Sequence, residues 1–167
     1  MKFDSIESVR SAGFGGFRTA NELRSSGMAG VPPTPGVYMV VYEPEQVPVF
    51  EERSCGGHFK GKDPTVSIDE LKRNWVEGTP VVYIGKAGGG SSAATLKKRL
   101  TTFVRFGAGE PVGHWGGRLI WQLQEANSSL RFCWRPADTG DAAVIESELI
   151  QEFVAQFGAR PFANLRN

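Results

Sequence analysis

The chain has 167 residues, 40% hydrophobic and 22% charged, with 19 Lys and Arg against 18 Asp and Glu. Such a length and composition fit one soluble domain with a core of its own. The near-neutral balance excludes a polybasic nucleic-acid coat and an acidic solvating chain. No apolar run approaches the roughly 18 residues that span a bilayer, and Met1–Ser5 opens without the apolar core of a signal peptide. Cys55 and Cys133 give no disulfide framework, so the cytoplasm is the expected compartment.

In chain order, residues 1–35 read as an N-terminal helical extension. Phe3, Ile6 and Val9 fall at helical spacing, and Thr19–Glu22 is a capping box that starts a short helix at Ala20, ending near Gly27. The prolines of Val31–Gly36 forbid continuation. Gly36–Tyr42 is a short apolar run rich in β-branched and aromatic residues, the pattern of a buried strand. The more polar residues 43–79 form an insert, in which a second capping box at Ser67–Glu70 opens a helix with Ile68, Leu71 and Trp75 inward, ending at Gly78. Val81–Ile84 reads as the next strand, followed by a Gly-rich loop and a helix over about Ala93–Val104, capped by Ser91 or Ser92. Arg118–Leu123 is expected as a strand, and Leu130–Arg135 as another, with Leu130, Phe132 and Trp134 on one side. The last helix spans about Ala142–Phe157, capped by Asp141 and closed by Gly158.

Placed on a wheel at about 100° per residue, the last helix has an apolar stripe of Ala142, Ile145, Leu149, Ile150, Phe153 and Phe157, with Glu146 near its middle. A carboxylate there must be ion-paired, metal-bound or protonated, so a structural salt bridge and a ligand role both stay open. Arg99 borders the stripe of Leu96, Leu100 and Phe103; its stem either packs along the core while the head reaches water, or its guanidinium points into a cleft, suited to phosphate. His114, among glycines, suits proton transfer or a surface hydrogen bond. Gly85–Ser92 fails the phosphate-loop pattern, because Lys86 precedes the glycines. Cys55 and His58 have zinc-like spacing with no matching second pair.

The order of these features is more specific than any one of them. Gly36-Val37-Tyr38, then Tyr83-Ile84-Gly85, Arg99 on a helix, Glu146 on a later helix and Asn164 in the tail together resemble the GIY-YIG nuclease superfamily. The resemblance covers about Pro35–Val41 and Val81–Asn164, and it implies an α+β fold, a small antiparallel sheet flanked by helices. It makes residues 36–167 the catalytic part of a single domain, with Tyr38, Tyr83, Arg99, Glu146 and Asn164 facing one cleft. The implied reaction is hydrolysis of DNA phosphodiester bonds by in-line attack of water. Glu146 would hold one Mg2+ or Mn2+, and Arg99 would clamp the non-bridging oxygens. Tyr38 would be general base or water-positioner beside Tyr83, its pKa brought down by Lys86 and the metal. His114 is expected to share that role, and Asn164 to tie the tail to the site. The alternative is a catalytically inactive nucleic-acid-binding or protein-interaction module on the same fold.

Two departures stand out. Forty-four residues separate Tyr38 from Tyr83, a long link for this family, and three residues follow Asn164, so no separate DNA-binding domain is expected. Specificity would then come from the insert, the extension, a homodimer or a protein partner. The charge is also unevenly spread: residues 79–135 hold 8 basic and 2 acidic side chains, a local charge of +6. Lys86, Lys97, Lys98 and Arg105 of that segment are candidate contacts to a phosphate backbone.

Overall fold

The computed structural model describes residues 1–43, 47–89, 92–137 and 142–165. Four strands, β1 (Gly15–Thr19), β2 (Gly36–Val41), β3 (Val81–Ala87) and β4 (Arg131–Pro136), form one antiparallel sheet in the order β1-β4-β2-β3. Around it lie helices α1 (Ile6–Ser11), α2 (Ala20–Ser25), α3 (Ile68–Asn74), α4 (Leu96–Gly107), α5 (Ala126–Ser129) and α6 (Ala142–Phe157). The α+β expectation is met. Because side chains alternate across a strand, β2 feeds two cores. Tyr38 and Val40 join Leu96, Leu100, Phe103 and Phe132 on the α4 face. Val37, Met39 and Val41 join Phe3, Val9, Ile84 and Phe153 on the α1/α6 face. Hence every residue of β2 is buried, which is why its sequence shows an unbroken apolar run rather than alternation.

The extension is not wholly helical. It contains α1 and α2, the latter with both halves of the Thr19–Glu22 capping box formed, but β1 lies between them and pairs with β4. The strand carries a bulge at Phe17, whose φ is 53°, and Gly16 lies against the Trp134 ring so closely that a Cβ would fall 2.5 Å from it. Two glycines and a bulge erase the period-2 signal on which a strand is recognised.

Arg118–Gln122 is a 3-10 helix, not the expected strand. Leu119, Ile120, Trp121 and Gln122 are all buried, a run of burial that suits a central strand as well as a short helix, so the pattern alone does not separate the two. The polar partner of this segment is the insert. The Gln122 amide donates to Glu51 O (3.1 Å) and Val66 O (3.0 Å) and accepts from the Val66 N–H (2.8 Å). The backbone adds Glu51 N–H to Gln122 O at 2.7 Å and Cys55 N–H to Trp121 O at 3.0 Å.

Helix α4 starts at Leu96 under a Thr95 cap instead of near Ala93 under a serine; Ser91 lies outside the described residues. Leu96 and Lys97 donate their N–H groups to Thr34 O and Pro32 O at 2.8 and 3.1 Å, so the proline turn fixes where the helix begins. Helix α3 ends at Asn74, short of Gly78, because Trp75 turns away to pack on Tyr42, Phe50 and Phe162. Helix α6 has the expected span and is followed by Gly158 at φ 71°; its expected cap, Asp141, lies outside the described residues. Among the described residues no helix is long and apolar enough to cross a membrane.

Candidate active site

The two Gly-Tyr motifs are built by close approach. Tyr38 and Gly85 are register partners across β2 and β3, and a Cβ on Gly85 would lie 2.6 Å from Tyr38 Cζ and 2.8 Å from Tyr83 Cε1. A Cβ on Gly36 would lie 2.5 Å from Arg135 O and 2.8 Å from Leu96 Cδ1. Each glycine is therefore required by what crosses it, one by the phenols and the other by β4 and α4.

Behind this frame lies a group of buried polar side chains around Phe103. The Tyr38 and Tyr83 rings are 6.0 Å apart, and each contacts Phe103 edge-on, at 6.1 and 5.5 Å. His114 stacks on Phe103 with centroids 3.8 Å apart, and Trp121 meets it edge-on at 5.5 Å. Arg99 stands one turn before Phe103 on α4. Among the described residues, Tyr38 Oη, Arg99 Nε, both His114 ring nitrogens and Trp121 Nε1 are buried with no protein group at full hydrogen-bond geometry, although Tyr38 Oη lies near both Arg99 and the Tyr83 hydroxyl. Burial pushes the Tyr38 phenol well above its ordinary value, with Tyr83 adding to the rise and Arg99 opposing it. Burial raises Tyr83 as well, again against Arg99. His114, 1% exposed, is held well below the usual histidine range by burial and then by the Arg99 charge. It thus lies in the core beneath the site, neither a loop base in water nor a surface hydrogen-bonder.

In front of these groups opens a cleft of about 620 Å3, walled by Tyr83, Glu146, Asn164, Trp115, Arg118 and Arg160, among others. Tyr83 reaches it from the α4 face of β3 and Glu146 from α6 on the opposite face, so the cleft sits at the outer edge of the sheet. Asn164 closes that edge. Its amide donates to Ile84 O (2.7 Å) and accepts from the Ile84 N–H (2.9 Å), while Ala163 N–H bonds Val82 O at 2.9 Å. The tail thereby satisfies backbone groups that an edge strand would leave open. Of the five residues expected to face one cleft, Tyr38 and Arg99 do not line it; both lie behind Tyr83, where the phenols and the guanidinium pack together.

Glu146 is 20% exposed and paired with Lys86 Nζ at 2.9 Å. Lys86 lies on the α6 face of β3, so it serves Glu146 and is not the cation that acts on the phenols; that cation is Arg99. Lys97 and Lys98 are exposed on α4 away from the cleft wall, and Arg105 is bound by Glu110 (Nε to Oε2, 2.7 Å). Sequence reasoning passed over Arg118, Trp115 and Arg160. The Arg118 guanidinium lies over the Trp115 ring at 4.9 Å, and the signal available was Trp-Gly-Gly-Arg directly after His114. Neither Arg118 nor Arg160 has a carboxylate partner among the described residues.

Glu146 is the one carboxylate among the described residues that wall the cleft, and no three His, Cys, Asp or Glu side chains gather among them. A cation that binds through one carboxylate and completes its shell with water and phosphate, as Mg2+ does, fits this donor set; a cage of several protein ligands does not. Comparison of the chain with models of protein families, with curated proteins and with solved structures gives no match.

Proposed function

We propose that the chain is a metal-dependent endonuclease of the GIY-YIG type that hydrolyses phosphodiester bonds in DNA. The observation that carries this reading is a single cleft at the outer edge of the sheet that brings Tyr83, Glu146 and Asn164 together with Arg118 and Arg160, while Tyr38, Arg99 and His114 pack behind it.

Arg118 and Arg160 attract and orient the phosphate, and Arg99 behind the wall adds positive potential where charge develops. With both phenols protonated at neutral pH, Tyr83 acts as a hydrogen-bond donor to the attacking water or to a phosphate oxygen. Tyr38 supports it from behind. Both are positioning groups, so of the two roles given to Tyr38 by its sequence context the water-positioning one is favoured. Glu146 would hold Mg2+, which when bound supplies charge neutralisation at the leaving oxygen. Asn164 fixes the strand that carries Tyr83.

A second reading, a non-cleaving nucleic-acid-binding module, is favoured by one observation, the Lys86 ammonium already seated on Glu146. Incubation with plasmid and single-stranded DNA in Mg2+ or Mn2+, with a chelator control, separates the two. Cleavage that is lost in Glu146→Ala and Arg99→Ala supports the nuclease; cleavage retained in both variants excludes this site. Binding without cleavage supports the module.

A further inference from the structure

We infer that the Trp115–Arg118 pair is a nucleobase platform, so that the substrate is DNA with an unpaired nucleotide at the scissile position. This rests on the nuclease reading and names the substrate class for the same cleft. Phosphate recognition alone does not account for the cleft walls. Trp115, Ile150 and Leu165 line the cleft together with the charged side chains, and apolar lining gives a phosphate nothing in return for its lost water. A base has use for it. A volume of about 620 Å3 is within the range that encloses a molecule of nucleotide size, roughly 300–1,000 Å3.

Arg118 is held at an aromatic ring. Its guanidinium carbon lies over the Trp115 ring, 4.9 Å from the centroid; the side chain is partly buried and makes no side-chain hydrogen bond or ion pair among the described residues. Both residues line the cleft, so an indole and a guanidinium lie together where a base can enter, the two kinds of side chain on which unstacked bases settle. Gly116 and Gly117 between the two residues leave bare backbone; a Cβ on Gly116 would come 3.4 Å from the Tyr83 hydroxyl. The platform and that hydroxyl are therefore neighbours, as a base and its own phosphodiester are. A base reaches such a wall only after leaving the duplex stack, at a cost that an unpaired strand does not meet.

The test uses the full chain in chelator, so that binding is read without cleavage. A single strand of about 12 nucleotides with a central 2-aminopurine is compared with its duplex. The expected result is tighter binding of the single strand by about fivefold or more, the low end for stacking one base, with a change in 2-aminopurine fluorescence. Arg118→Lys keeps the charge and loses the plane, so it should remove the fluorescence change and the strand preference while leaving the salt dependence in place. Arg118→Ala should also lower the salt slope by about one. Equal binding of both forms, or an Arg118→Lys protein that behaves as wild type, overturns the platform and leaves the nuclease reading standing. Absence of binding to either DNA overturns both.

Discussion

Tyr38 and Gly85 are cross-strand partners, and the phenol of the first fills the space that a side chain on the second would need. The would-be Cβ falls 2.7 Å from the Tyr38 hydroxyl, inside any tolerable contact. Gly85 is not in the left-handed region, so the effect of a substitution there is steric. Gly85→Ala should destabilise the protein by about 1–3 kcal/mol, the usual range for overpacking. It should also reduce cleavage by displacing both phenols. In a double-mutant cycle with Tyr38→Leu, urea denaturation should show that the two changes cost less together than their sum. Additive effects would mean that the two side chains do not compete for space.

The Tyr38 hydroxyl is buried, and among the described residues no protein group meets it at full hydrogen-bond geometry, so its removal should help the fold while harming the function. Tyr38→Phe is expected to gain up to about 1–3 kcal/mol, which for a chain of this size raises Tm by roughly 2–4 °C per kcal/mol. Cleavage should fall in the same variant. A loss of stability on taking the hydroxyl away would show that it is satisfied in the folded chain, by Arg99, Tyr83 or water.

Much of this arrangement was legible in the residues, because the motifs are local. Thr19–Glu22, Gly36–Tyr38, Tyr83–Gly85 and the α6 stripe with Glu146 at its centre each depend on near neighbours and on one periodicity. What escaped depends on distant partners. β1 exists because β4 pairs with it, although Gly15, Gly16 and a bulged Phe17 carry no strand signal of their own. Arg118–Gln122 alternates poorly and is held by the insert through Gln122, a contact that spans 56 to 71 residues of sequence. In the same way, Arg118 gains its meaning from a cleft wall supplied by α6 and the tail. Lys86 could not be assigned to Glu146 without knowing which face of β3 it occupies.

His114 should make the fold acid-sensitive in a defined window. Its pKa in the folded chain is depressed by burial and by Arg99, so the folded state excludes a proton that the unfolded state takes up below about 6.5. Stability is then complete above the unfolded value and is lost as pH falls toward the folded one. The limiting slope is about 1.4 kcal/mol per pH unit for one proton. The lowered carboxylates Glu22, held by the Thr19 N–H, and Glu110, held by Arg105, titrate below this window. Urea midpoints measured at pH 7.5 and 5.5 should differ in the wild type and converge in His114→Leu. A wild-type midpoint that is the same at both values would show that His114 is not buried in its neutral form.

Lys86 and a divalent cation should compete for Glu146. The ammonium is 2.9 Å from the carboxylate, and the two side chains are 39% and 20% exposed. Such a half-open pair is worth about 1 kcal/mol after solvent screening, a cost that any metal at Glu146 must meet. Lys86→Met keeps the length of the stem and removes the charge, so Mn2+ affinity in the absence of DNA should rise about fivefold. Lys86→Arg should leave it near the wild-type value, and Glu146→Gln should abolish it. Electron paramagnetic resonance titration of free Mn2+ reads all three without reference to cleavage. If Lys86→Met binds Mn2+ no better than wild type while Glu146→Gln binds it equally well, the pair is a structural tie between β3 and α6. The carboxylate that the cleft offers to substrate and solvent would then have no part in holding a cation.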